Sequence, residues 1–488
     1  MGKNIFFLLL VLVFIPSSTH VQCTEEAFIS VEIFSKGIDF AKDLLVNTAL
    51  SSLTPLELPQ IEKAVKIPLI GTVHITISNI VLYKIEIPSS TVKPGDTGLV
   101  FVASGAKAYL DMDWSYYYGS WLVKISDNGV ASVEVEGMDA GLTVNLVNQQ
   151  GTLELSLLEC GCYVKDISIK MEGGASWLYQ GIVGAFQKKI RSAIEDAITQ
   201  KIEDKIVDLD DSLHSLPKEI ALDEISSLNI TFVDNIVFSE SSISFGIDGL
   251  FIARDGVVDY DHFVQKSHAL VSCEGLAKML GIAIHEDVIN SASSVYFNAG
   301  VMHWIVDKLP DQYLLNTAEW KHVIPQLYKQ YPDDDMNLNV SITSPPAINV
   351  GWDSLDISIY SDVTIDVLDD GKMIPVARIS LIINLSGYPE ISRNNVSGSV
   401  KLNDFTMSLK WSTIGELHLQ LMQPIIQAAV RTVFIPYANL LLYRGLPLPD
   451  IRGYTLHDAR FGYLGSRIVV CTNIAHVERT NLKPLPVS

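Results

Sequence analysis

The stretch WLYQGIVGAFQKKIRSAIEDAITQKIEDKIVDLDDSLHSL, residues 177–216, decides the fold. Its apolar residues recur every four positions and later every three, which is the spacing of one face of an α-helix. Because each step of four overshoots a 3.6-residue turn, the apolar stripe winds around the helix. At the rise of an α-helix, this stretch would be about 50 to 60 Å long. We therefore expect it to lie along an equally long partner that curves around it.

The first 23 residues have the pattern of a secretory signal peptide. A charged start, Met1-Gly2-Lys3, precedes an apolar run at residues 5–15 that is too short to span a bilayer. We expect cleavage near Cys23 and a secreted, extracellular protein. No later run of uninterrupted apolar residues is long enough for a membrane span. Asn-x-Ser/Thr sequons predict glycosylation at Asn229, Asn339, Asn384 and Asn395.

The charge of the chain is strongly negative and uneven. The formal net charge is −21 over 488 residues. Residues 24–250 contain 32 acidic and 16 basic residues, whereas residues 251–488 contain 24 and 18. This balance disfavours binding to nucleic acid or to an anionic membrane by bulk attraction. The length implies two or three domains with an ample core.

The cysteines and the polar motifs predict neither a disulfide scaffold nor an active site. Cys160 and Cys162 lie two apart on a predicted strand, point to the same side and cannot easily bond each other. The pairing among Cys160, Cys162, Cys273 and Cys471 stays open. The chain has no Gly-x-Ser-x-Gly elbow, His-Glu-x-x-His helix or phosphate-binding glycine loop. We predict no catalytic residues, no metal site and no enzyme activity.

Before the long helix, the hydrophobic period changes from helical spacing to two. A first helix is predicted at residues 28–50. Strands are predicted at 73–78, 81–87, 99–102, 106–110, 120–125, 131–135, 142–147 and 153–158. Turn signals such as Asp127-Asn128-Gly129 separate them. Short antiparallel strands beside two long helices predict a strongly curved sheet wrapped on a helix.

The second half repeats this plan in an altered order. After strands in 228–252 and a polar linker at 253–273, helices are predicted at 276–307, 320–330 and 414–442. Strands are predicted at 337–343, 347–352, 355–368, 374–383 and 396–408. This repetition indicates an internal structural duplication. The predicted organisation is a signal peptide (1–23), an N-terminal unit (24–217), strands and a linker (218–275), a C-terminal unit (276–450), and a last segment with a tail (451–488).

Short motifs spread over nearly the whole chain carry a resemblance. They include Ser35-Lys36-Gly37-Ile38, Cys160-Gly161-Cys162, Tyr296-Phe297-Asn298-Ala299-Gly300, Ser344-Pro345-Pro346 and Gly445-Leu446-Pro447-Leu448-Pro449. Each motif is weak alone, but their shared order is specific. The chain resembles the family of bactericidal/permeability-increasing protein, lipopolysaccharide-binding protein and the plasma lipid transfer proteins, and is most similar to its plant branch.

This resemblance implies an α+β fold of two barrel-like domains, each a highly twisted antiparallel sheet wrapped on a long helix, joined by a central sheet into a boomerang shape. It also implies an apolar pocket in each domain that holds the acyl chains of a phospholipid, with no other cofactor. The N-terminal pocket candidates are Phe34, Ile38, Leu45, Ile182, Phe186 and Ile190. The C-terminal pocket candidates are Phe297, Val301, Trp304, Met422, Ile426 and Val430. Plain core residues have the same sequence signature, so both roles stay open.

The chain departs from the family at two places. In the animal members, a cysteine before the long helix bonds one inside it. Here the matching helix position falls at Ile202-Glu203, so that bridge cannot form. The endotoxin-binding members carry basic loops at the tip of the N-terminal barrel. The corresponding stretch here, residues 111–124, has five aromatic residues, two acids and one lysine.

The aromatic stretch allows two interpretations. Trp and Tyr rings suit the boundary between water and hydrocarbon, which predicts a tip that touches a membrane by partial insertion. A cross-strand aromatic cluster that stabilises a hairpin accounts for the same residues. The tip candidates are Trp114, Tyr116, Tyr117, Tyr118, Trp121 and Lys124.

The resemblance and the residue patterns together favour a secreted lipid-binding protein. It would bury acyl chains of lipopolysaccharide or phospholipid in recognition of bacterial surface lipid, as part of innate immunity. The alternatives are transfer of phospholipid or neutral lipid between membranes, and an adaptor that presents a lipid to a receptor. Transient contact with a membrane or a lipid aggregate is expected in each case. Charge-driven docking would weaken as salt rises, whereas chain burial would not.

Overall fold

The computed structural model describes residues 27–476, apart from 68–70, 96–97, 120–123, 173–175, 234, 255–270, 272, 274–276, 309–311, 393–394 and 448–453. The expected signal peptide and residues 477–488 of the expected tail lie outside the described residues. So does most of the linker predicted at residues 253–273.

The described chain begins with a strand. β1 (Ile29–Phe34) leads directly into helix α1 (Ser35–Leu53). The helix predicted at residues 28–50 was therefore wrong at its start. Val31 and Ile33 alternate with Ser30 and Glu32, which is strand spacing, and neighbouring strands hydrogen-bond to both edges of β1. These two neighbouring strands are remote from β1 in sequence. They hydrogen-bond the backbone N–H and C=O groups that would bond within the segment if it were a helix.

The N-terminal barrel consists of seven strands and a long helix. Its elements are β2 (Leu56–Leu58), β3 (Ile61–Ile67), β4 (Gly71–Glu86), β5 (Ser89–Gly95), β6 (Gly98–Gly119), β7 (Lys124–Gln149), β8 (Thr152–Met171) and α2 (Ser176–His214). The strands pair in the order β2-β4-β6-β7-β8, while β3 pairs with β4 and β5 with β6. Phe186, Ile190, Ile194 and Ile198 of α2 are buried in one core with the inner side of this sheet.

The strands are longer than the sequence predicted, because bulges bend them where the pattern breaks. The predicted strands at 73–78 and 81–87 form one strand, β4. Its register against β6 shifts between Ser78 and Val81, where Asn79 has a φ of 51°. A bulge bends the strand and increases its twist without ending it. In this way a continuous sheet can curve around α2.

The turn predicted at Asp127-Asn128-Gly129 was also wrong, since these residues lie inside β7. Gly129 pairs with Trp114 of β6. A Cβ added at Gly129 would stand 2.7 Å from Cζ2 of the Trp114 indole. The glycine therefore makes room for a large ring across the sheet and does not reverse the chain.

The segment after α2 forms small strands and enters the centre of the molecule. They are β9 (Glu219–Ala221), β10 (Ser226–Asn229), β11 (Val237–Phe238), β12 (Ser242–Ile247), β13 (Phe251–Ala253) and β14 (Leu280–His285). β9, β10 and β13 form a three-stranded sheet. β14 pairs with β1, so the chain returns beside its own beginning.

The C-terminal barrel also combines a curved antiparallel sheet with a long helix, but its strands and helices differ in length from those of the N-terminal barrel. Its first elements are α3 (Glu286–Asn298), β15 (His303–Val306), short 3₁₀ helices (Gln312–Leu315 and Thr317–Trp320), α4 (Pro325–Gln330), β16 (Asp335–Ile342), β17 (Ala347–Val350), β18 (Leu355–Asp369), β19 (Lys372–Ser392) and β20 (Asn395–Ser412). The helix predicted at residues 276–307 was wrong, because it contains β14, α3 and β15. The edges of β14 pair with β1 and with the strand Arg467–His476, and this pairing overrides the helical pattern.

The last helical stretch consists of α5 (Leu419–Ala429), a π-helical turn (Val430–Phe434) and α6 (Ile435–Arg444). Among the described residues, Leu419–Arg444 is the one helix that is long and apolar enough to cross a membrane by length and composition. In the structure it lies along β20. The Asn439 side chain accepts a hydrogen bond from the Val400 N–H at 2.7 Å and donates one to its carbonyl at 3.0 Å. These bonds fix the helix on the barrel.

The chain ends with β21 (Leu446–Pro447), β22 (Tyr454–Leu464) and β23 (Arg467–His476). β22 and β23 return to the central sheet, whose order is β11-β12-β1-β14-β23-β22. The C-terminal sheet has the order β15-β16-β18-β19-β20-β21, with β17 beside β18. The structure thus has two barrel-like domains of twisted antiparallel sheet, each with a long helix, joined by a central sheet.

A disulfide links β23 of the central sheet to the segment that precedes β14. Cys273 bonds Cys471 of β23, with their Cα atoms 5.8 Å apart and a separation of 198 positions in sequence. Both cysteines are buried with Val271, Ala283 and Val469. The sequence had left this pairing open.

We expect the double variant Cys273→Ser, Cys471→Ser to lose about 2 to 5 kcal/mol of unfolding free energy, because a cross-link over a long loop restricts the unfolded chain. Urea unfolding of the purified protein measures the loss. The matched control is Cys160→Ser with Cys162→Ser, which removes two thiols that form no disulfide. An equal loss in both double variants would contradict a stabilising role for this bond.

Candidate binding cavities

Each barrel contains an elongated cavity between its long helix and its sheet. The C-terminal cavity has a volume of about 630 Å³ and the N-terminal cavity about 340 Å³. Both volumes lie in the range of about 300 to 1,000 Å³ that is usual for small-molecule sites.

The C-terminal cavity lies between the helical stretch Leu419–Arg444 and the inner side of the sheet. Alternate residues of each strand face it, as strand geometry requires. On β16, for example, Met336, Leu338 and Val340 line the cavity. Facing them from the helix are Met422, Ile426 and Val430.

Among the described residues, no charged side chain lines the C-terminal cavity. Its most buried polar group is the hydroxyl of Ser361 on β18, which is 2% exposed and has no hydrogen-bond partner. An unsatisfied buried polar group costs about 1 to 3 kcal/mol. The next residue, Asp362, accepts a hydrogen bond from the Lys410 ammonium at 2.8 Å. Burial opposes ionisation of Asp362, but Lys410, Ser380 and Arg378 still hold its pKa below the usual value.

The N-terminal cavity lies between α1, the later turns of α2 and the strands β5 to β7. Its apolar lining residues include Leu45, Ala49, Phe101, Met138, Leu142, Ile198, Ile202, Ile206 and Leu209. It is more polar than the C-terminal cavity, since Lys201 and a pair formed by Lys205 and Asp208 also line it. Lys205 Nζ lies 2.6 Å from Asp208 Oδ2. Hydroxyl groups of Thr48, Ser52, Ser90, Thr91 and Ser212 complete the lining.

The predicted N-terminal pocket residues lie mostly elsewhere. Leu45 lines the cavity, whereas Phe186 and Ile190 are buried in the barrel core. Ile38 belongs to the core cluster beneath the central sheet, and Phe34 ends β1 and packs beside the disulfide. The side chain of Ile182 lies outside the described residues. Phe186 and Ile190 of α2 are buried by the sheet, and the cavity begins further along the helix, at Ile198.

Four of the predicted C-terminal pocket residues line the C-terminal cavity. They are Trp304, Met422, Ile426 and Val430. Phe297 lies on α3, and Val301 follows that helix in an exposed position, so neither lines the cavity. Both residues fall within the helix predicted at residues 276–307, which the structure divides into β14, α3 and β15.

The sequence-based list of pocket candidates omitted several residues that line the cavities, although some of them belong to the apolar stripe of the long helix. Ile202, Ile206 and Leu209 belong to the apolar stripe of the long helix, but only their partial burial distinguishes them from the core residues before them. Ser361 carries no sequence signal, because a serine on a strand ordinarily faces solvent.

The aromatic stretch forms a cross-strand cluster. Trp114 and Tyr116 are only 2% and 7% exposed, and their ring centroids are 5.9 Å apart. The Trp114 indole N–H donates to the Val130 carbonyl at 3.1 Å. Tyr118 stacks on Tyr116 at 6.2 Å. The prediction that Trp114 and Tyr116 insert into a membrane was therefore wrong, because both rings face the inside of the barrel.

The remaining tip candidates lie on the other side of the sheet or outside the described residues. Tyr117 is exposed and stacks on the His74 ring, with centroids 4.8 Å apart. Lys124 Nζ lies 4.1 Å from the centroid of the Tyr117 ring, which is a cation–π geometry. Trp121 lies outside the described residues.

Cys160 and Cys162 are free thiols on β8. Burial, together with the Glu195 carboxylate, raises the pKa of Cys162 to about 12. Burial and the Glu203 carboxylate raise the pKa of Cys160. Both side chains are therefore protonated thiols at neutral pH. The Glu203 carboxylate thus lies near the Cys160 thiol. The described residues contain no group of three or more His, Cys, Asp or Glu side chains arranged to hold a metal ion.

The four sequon asparagines are all partly exposed. Asn339 alternates with the cavity-lining residues of β16, so it faces the outside of the barrel. Asn384 accepts a hydrogen bond from the Ser358 hydroxyl at 3.0 Å. Asn229 accepts one from Thr231, the third residue of its own sequon, at 2.5 Å. Asn395 donates to the Arg444 carbonyl at 3.4 Å.

Comparisons with known proteins agree with this architecture. Residues 37–214 match the N-terminal domain of the LBP / BPI / CETP family, and residues 221–476 match its C-terminal domain. A putative BPI/LBP family protein of Arabidopsis thaliana is 48% identical over 98% of each chain. The bactericidal permeability-increasing protein of Sebastes schlegelii is 26% identical, covering 91% of this chain and 94% of its own.

More distant relatives share the fold over most of the chain. The human lipopolysaccharide-binding protein is 24% identical over 87% of this chain and 89% of its own. A crystal structure of lipopolysaccharide binding protein superposes with a TM-score of 0.61 at 20% identity, covering 93% of this chain and all of that chain. The domain matches and the similarity to the Arabidopsis protein show that the chain belongs to the LBP / BPI / CETP family.

Proposed function

We propose that the protein is a secreted lipid-binding protein that takes the acyl chains of amphipathic lipids into its two cavities. The observation that carries the proposal is the C-terminal cavity of about 630 Å³, whose lining has no charged side chain in the part of the chain that the structure describes. An apolar cavity of this size releases water when hydrocarbon fills it, at about 0.8 kcal/mol per buried CH₂ before ordering costs. No covalent bond is made or broken, so the activity is binding and not catalysis.

The ligand class follows from the polar groups of each cavity. A hydrocarbon chain can fill the C-terminal cavity without leaving a charge unpaired. The Ser361 hydroxyl can donate a hydrogen bond to one oxygen of the lipid, such as an ester carbonyl. In the N-terminal cavity, Lys201 and Lys205 provide cationic groups for a phosphate. A phospholipid or the lipid portion of lipopolysaccharide has both features.

Recognition of bacterial surface lipid is the biological role that we propose. Support comes from family membership and from relatives named for binding lipopolysaccharide or for increasing bacterial permeability. The net charge of −21 argues against recognition through a general positive field. Binding would therefore depend on the acyl chains, and raised salt would weaken it little. Presentation of the bound lipid to a receptor is compatible with this role.

Transfer of phospholipid or neutral lipid between membranes is a second candidate function. The observation that favours it is the exposure of several lining residues of the C-terminal cavity, including Ile425, Phe434 and Leu441. A cavity that reaches the surface along its helix allows a lipid to enter and leave without unfolding the barrel. The rate of lipid exchange between vesicles separates transfer from stable sequestration.

The decisive experiment identifies what the protein carries. We expect native mass spectrometry of protein from a eukaryotic secretory host to show bound phospholipid, and organic extraction to identify it. Lipopolysaccharide should compete with that lipid. A chain that is empty and takes up neither phospholipid nor lipopolysaccharide would refute the proposed function.

Filling a cavity should block its ligand. We expect Ala429→Trp, which places an indole in the C-terminal cavity, to lower the phospholipid bound per chain by about half if each cavity holds one lipid. Ala428→Trp is the matched control, because it adds the same ring to an exposed position of the same helix. Quantitative lipid extraction from both variants measures the effect. Equal lipid content in both would show that this cavity is not the site.

Removing the Ser361 hydroxyl should stabilise the empty protein. We expect Ser361→Ala to raise the unfolding free energy of delipidated protein by about 1 kcal/mol, because it removes an unsatisfied buried polar group. The Ser380 hydroxyl instead donates to Asp362 at 3.0 Å, so Ser380→Ala should lower stability. Urea unfolding compares the two. A loss of stability in Ser361→Ala would mean that its hydroxyl already has a partner in the protein.

The secretory route predicts N-linked glycans. We expect peptide N-glycosidase to lower the apparent mass of the secreted protein, and the glycans to map to Asn229, Asn339, Asn384 and Asn395. The double variant Asn339→Gln, Asn384→Gln should remove two of them. Protein from a secretory host with no mass shift on treatment would contradict glycosylation, and retention of an intact residue 1–23 segment would contradict signal cleavage.

A further inference from the structure

The helical stretch Leu419–Arg444 exposes a row of large apolar side chains. Among them, Leu440 is 54% exposed and Tyr443 is 80% exposed. Leu421, Ile425, Phe434, Tyr437, Leu441 and Leu442 are also exposed. Asn439 fixes the helix on β20, whereas the four consecutive residues Leu440 to Tyr443 leave its last turn exposed on most sides. Isolated exposed apolar residues are ordinary in proteins, but a contiguous row marks an interaction surface.

The row is continuous with the C-terminal cavity. Ile425, Phe434, Tyr437 and Leu441 are exposed at the surface and also line the cavity. Trp304 of β15 has the same two properties. Hydrocarbon could therefore pass from outside the protein into the cavity along apolar side chains, without crossing a polar rim.

The charge of this surface is opposite to that of the whole chain. Leu419–Arg444 contains no acidic residue, and its charged residues are Arg431 and Arg444. Both arginines are exposed. The chain as a whole carries a net charge of −21. A helical segment that is apolar, carries two exposed arginines and contains no acid is complementary to a bilayer of phospholipids, whose phosphates lie above hydrocarbon.

We propose that Leu419–Arg444, together with Trp304, is the surface through which the protein contacts a lipid bilayer, and that acyl chains enter the C-terminal cavity there. The inference rests on the proposed lipid-binding function and adds the place of loading. The helix would lie in the plane of the interface, with the Leu440 side chain in the hydrocarbon. Tyr437 and Tyr443 suit the boundary, since a tyrosine ring can be buried while its hydroxyl stays hydrated. Trp114 and Tyr116 of the N-terminal barrel are buried and play no part in this contact.

The test compares two double variants of the full secreted chain on vesicles of phosphatidylcholine. Leu440→Glu with Tyr443→Glu places two carboxylates on the proposed surface at residues that do not line the cavity. Leu222→Glu with Tyr163→Glu is the matched control, because Leu222 is 50% exposed beside the small strand β9 and Tyr163 is 60% exposed on β8 of the N-terminal barrel. Vesicle flotation measures the bound fraction. We expect the first pair to weaken vesicle binding by at least about tenfold, and the control pair to bind as the unmodified protein does.

A second measurement separates this inference from the proposed function. Both double variants should still take up a short-chain phospholipid supplied below its micelle concentration, because the cavities are intact. Equal vesicle binding by the two double variants would overturn the surface assignment. So would an unmodified protein that carries phospholipid but does not float with vesicles. Failure of the unmodified protein to take up any lipid would instead refute the proposed function.

A second copy of the chain is the other occupant that could cover this row. Analytical ultracentrifugation without vesicles should show the unmodified protein as a monomer. A dimer that the Leu440→Glu, Tyr443→Glu pair dissociates would assign the surface to self-association and overturn the bilayer assignment.

Discussion

The structure depends on the pairing of β1 with a strand on each side. Residues 29–34 hydrogen-bond to β12 along one edge and to β14 along the other. The register of these pairs places Val31 and Ile33 in a core that also contains Leu213 of the long helix and Ile474 of the last strand. Segments from the beginning, middle and end of the chain therefore complete one hydrophobic cluster. Leu99 and Val144 of the N-terminal barrel belong to the same cluster, so the central sheet and this barrel share one core.

Both cavities lie between a long helical stretch and the sheet that curves around it. In the N-terminal barrel, the sheet buries Phe186 and Ile190 of α2. Further along the same helix, α1 intervenes and the apolar side chains no longer reach one another. In the C-terminal barrel, the strands facing the helix are lined by methionine, leucine and valine, and the space between them is larger. Interiors normally pack without such voids, so an apolar cavity of this volume is a feature that hydrocarbon can fill.

In the C-terminal barrel, charged side chains lie apart from the cavity. Charged residues on the strands of the C-terminal barrel, such as Asp362 and Lys410, pair with one another away from the cavity. Strand alternation makes this possible, because neighbouring residues face opposite sides of the sheet. The same alternation turns Trp114 and Tyr116 inward while Tyr117 faces outward. Hence the aromatic composition of a segment says little about its role until its strand register is known.

The long helix, the two-barrel plan and the strands 355–368 and 396–408 could be predicted from the sequence, because hydrophobic periodicity is a local property. The signals that failed were local as well. Asp127-Asn128-Gly129 has the composition of a turn, but Gly129 accommodates the Trp114 ring across the sheet. Residues 280–285 have an apolar pattern that fits a helix or a strand, and their pairing with β1 and β23 made them a strand.

The sequence by itself therefore determined which residues avoid water, the period in which they recur and the family to which the chain belongs. Only the tertiary structure decided which apolar residues fill the core and which border a cavity. It also decided that Cys273 bonds Cys471 and that the outer face of Leu419–Arg444 stays uncovered. The physical reason is that the tendency of a residue to avoid water depends on its own apolar surface area, which its residue type fixes. A void, a disulfide and an open apolar face arise from distances between residues that lie far apart in the chain.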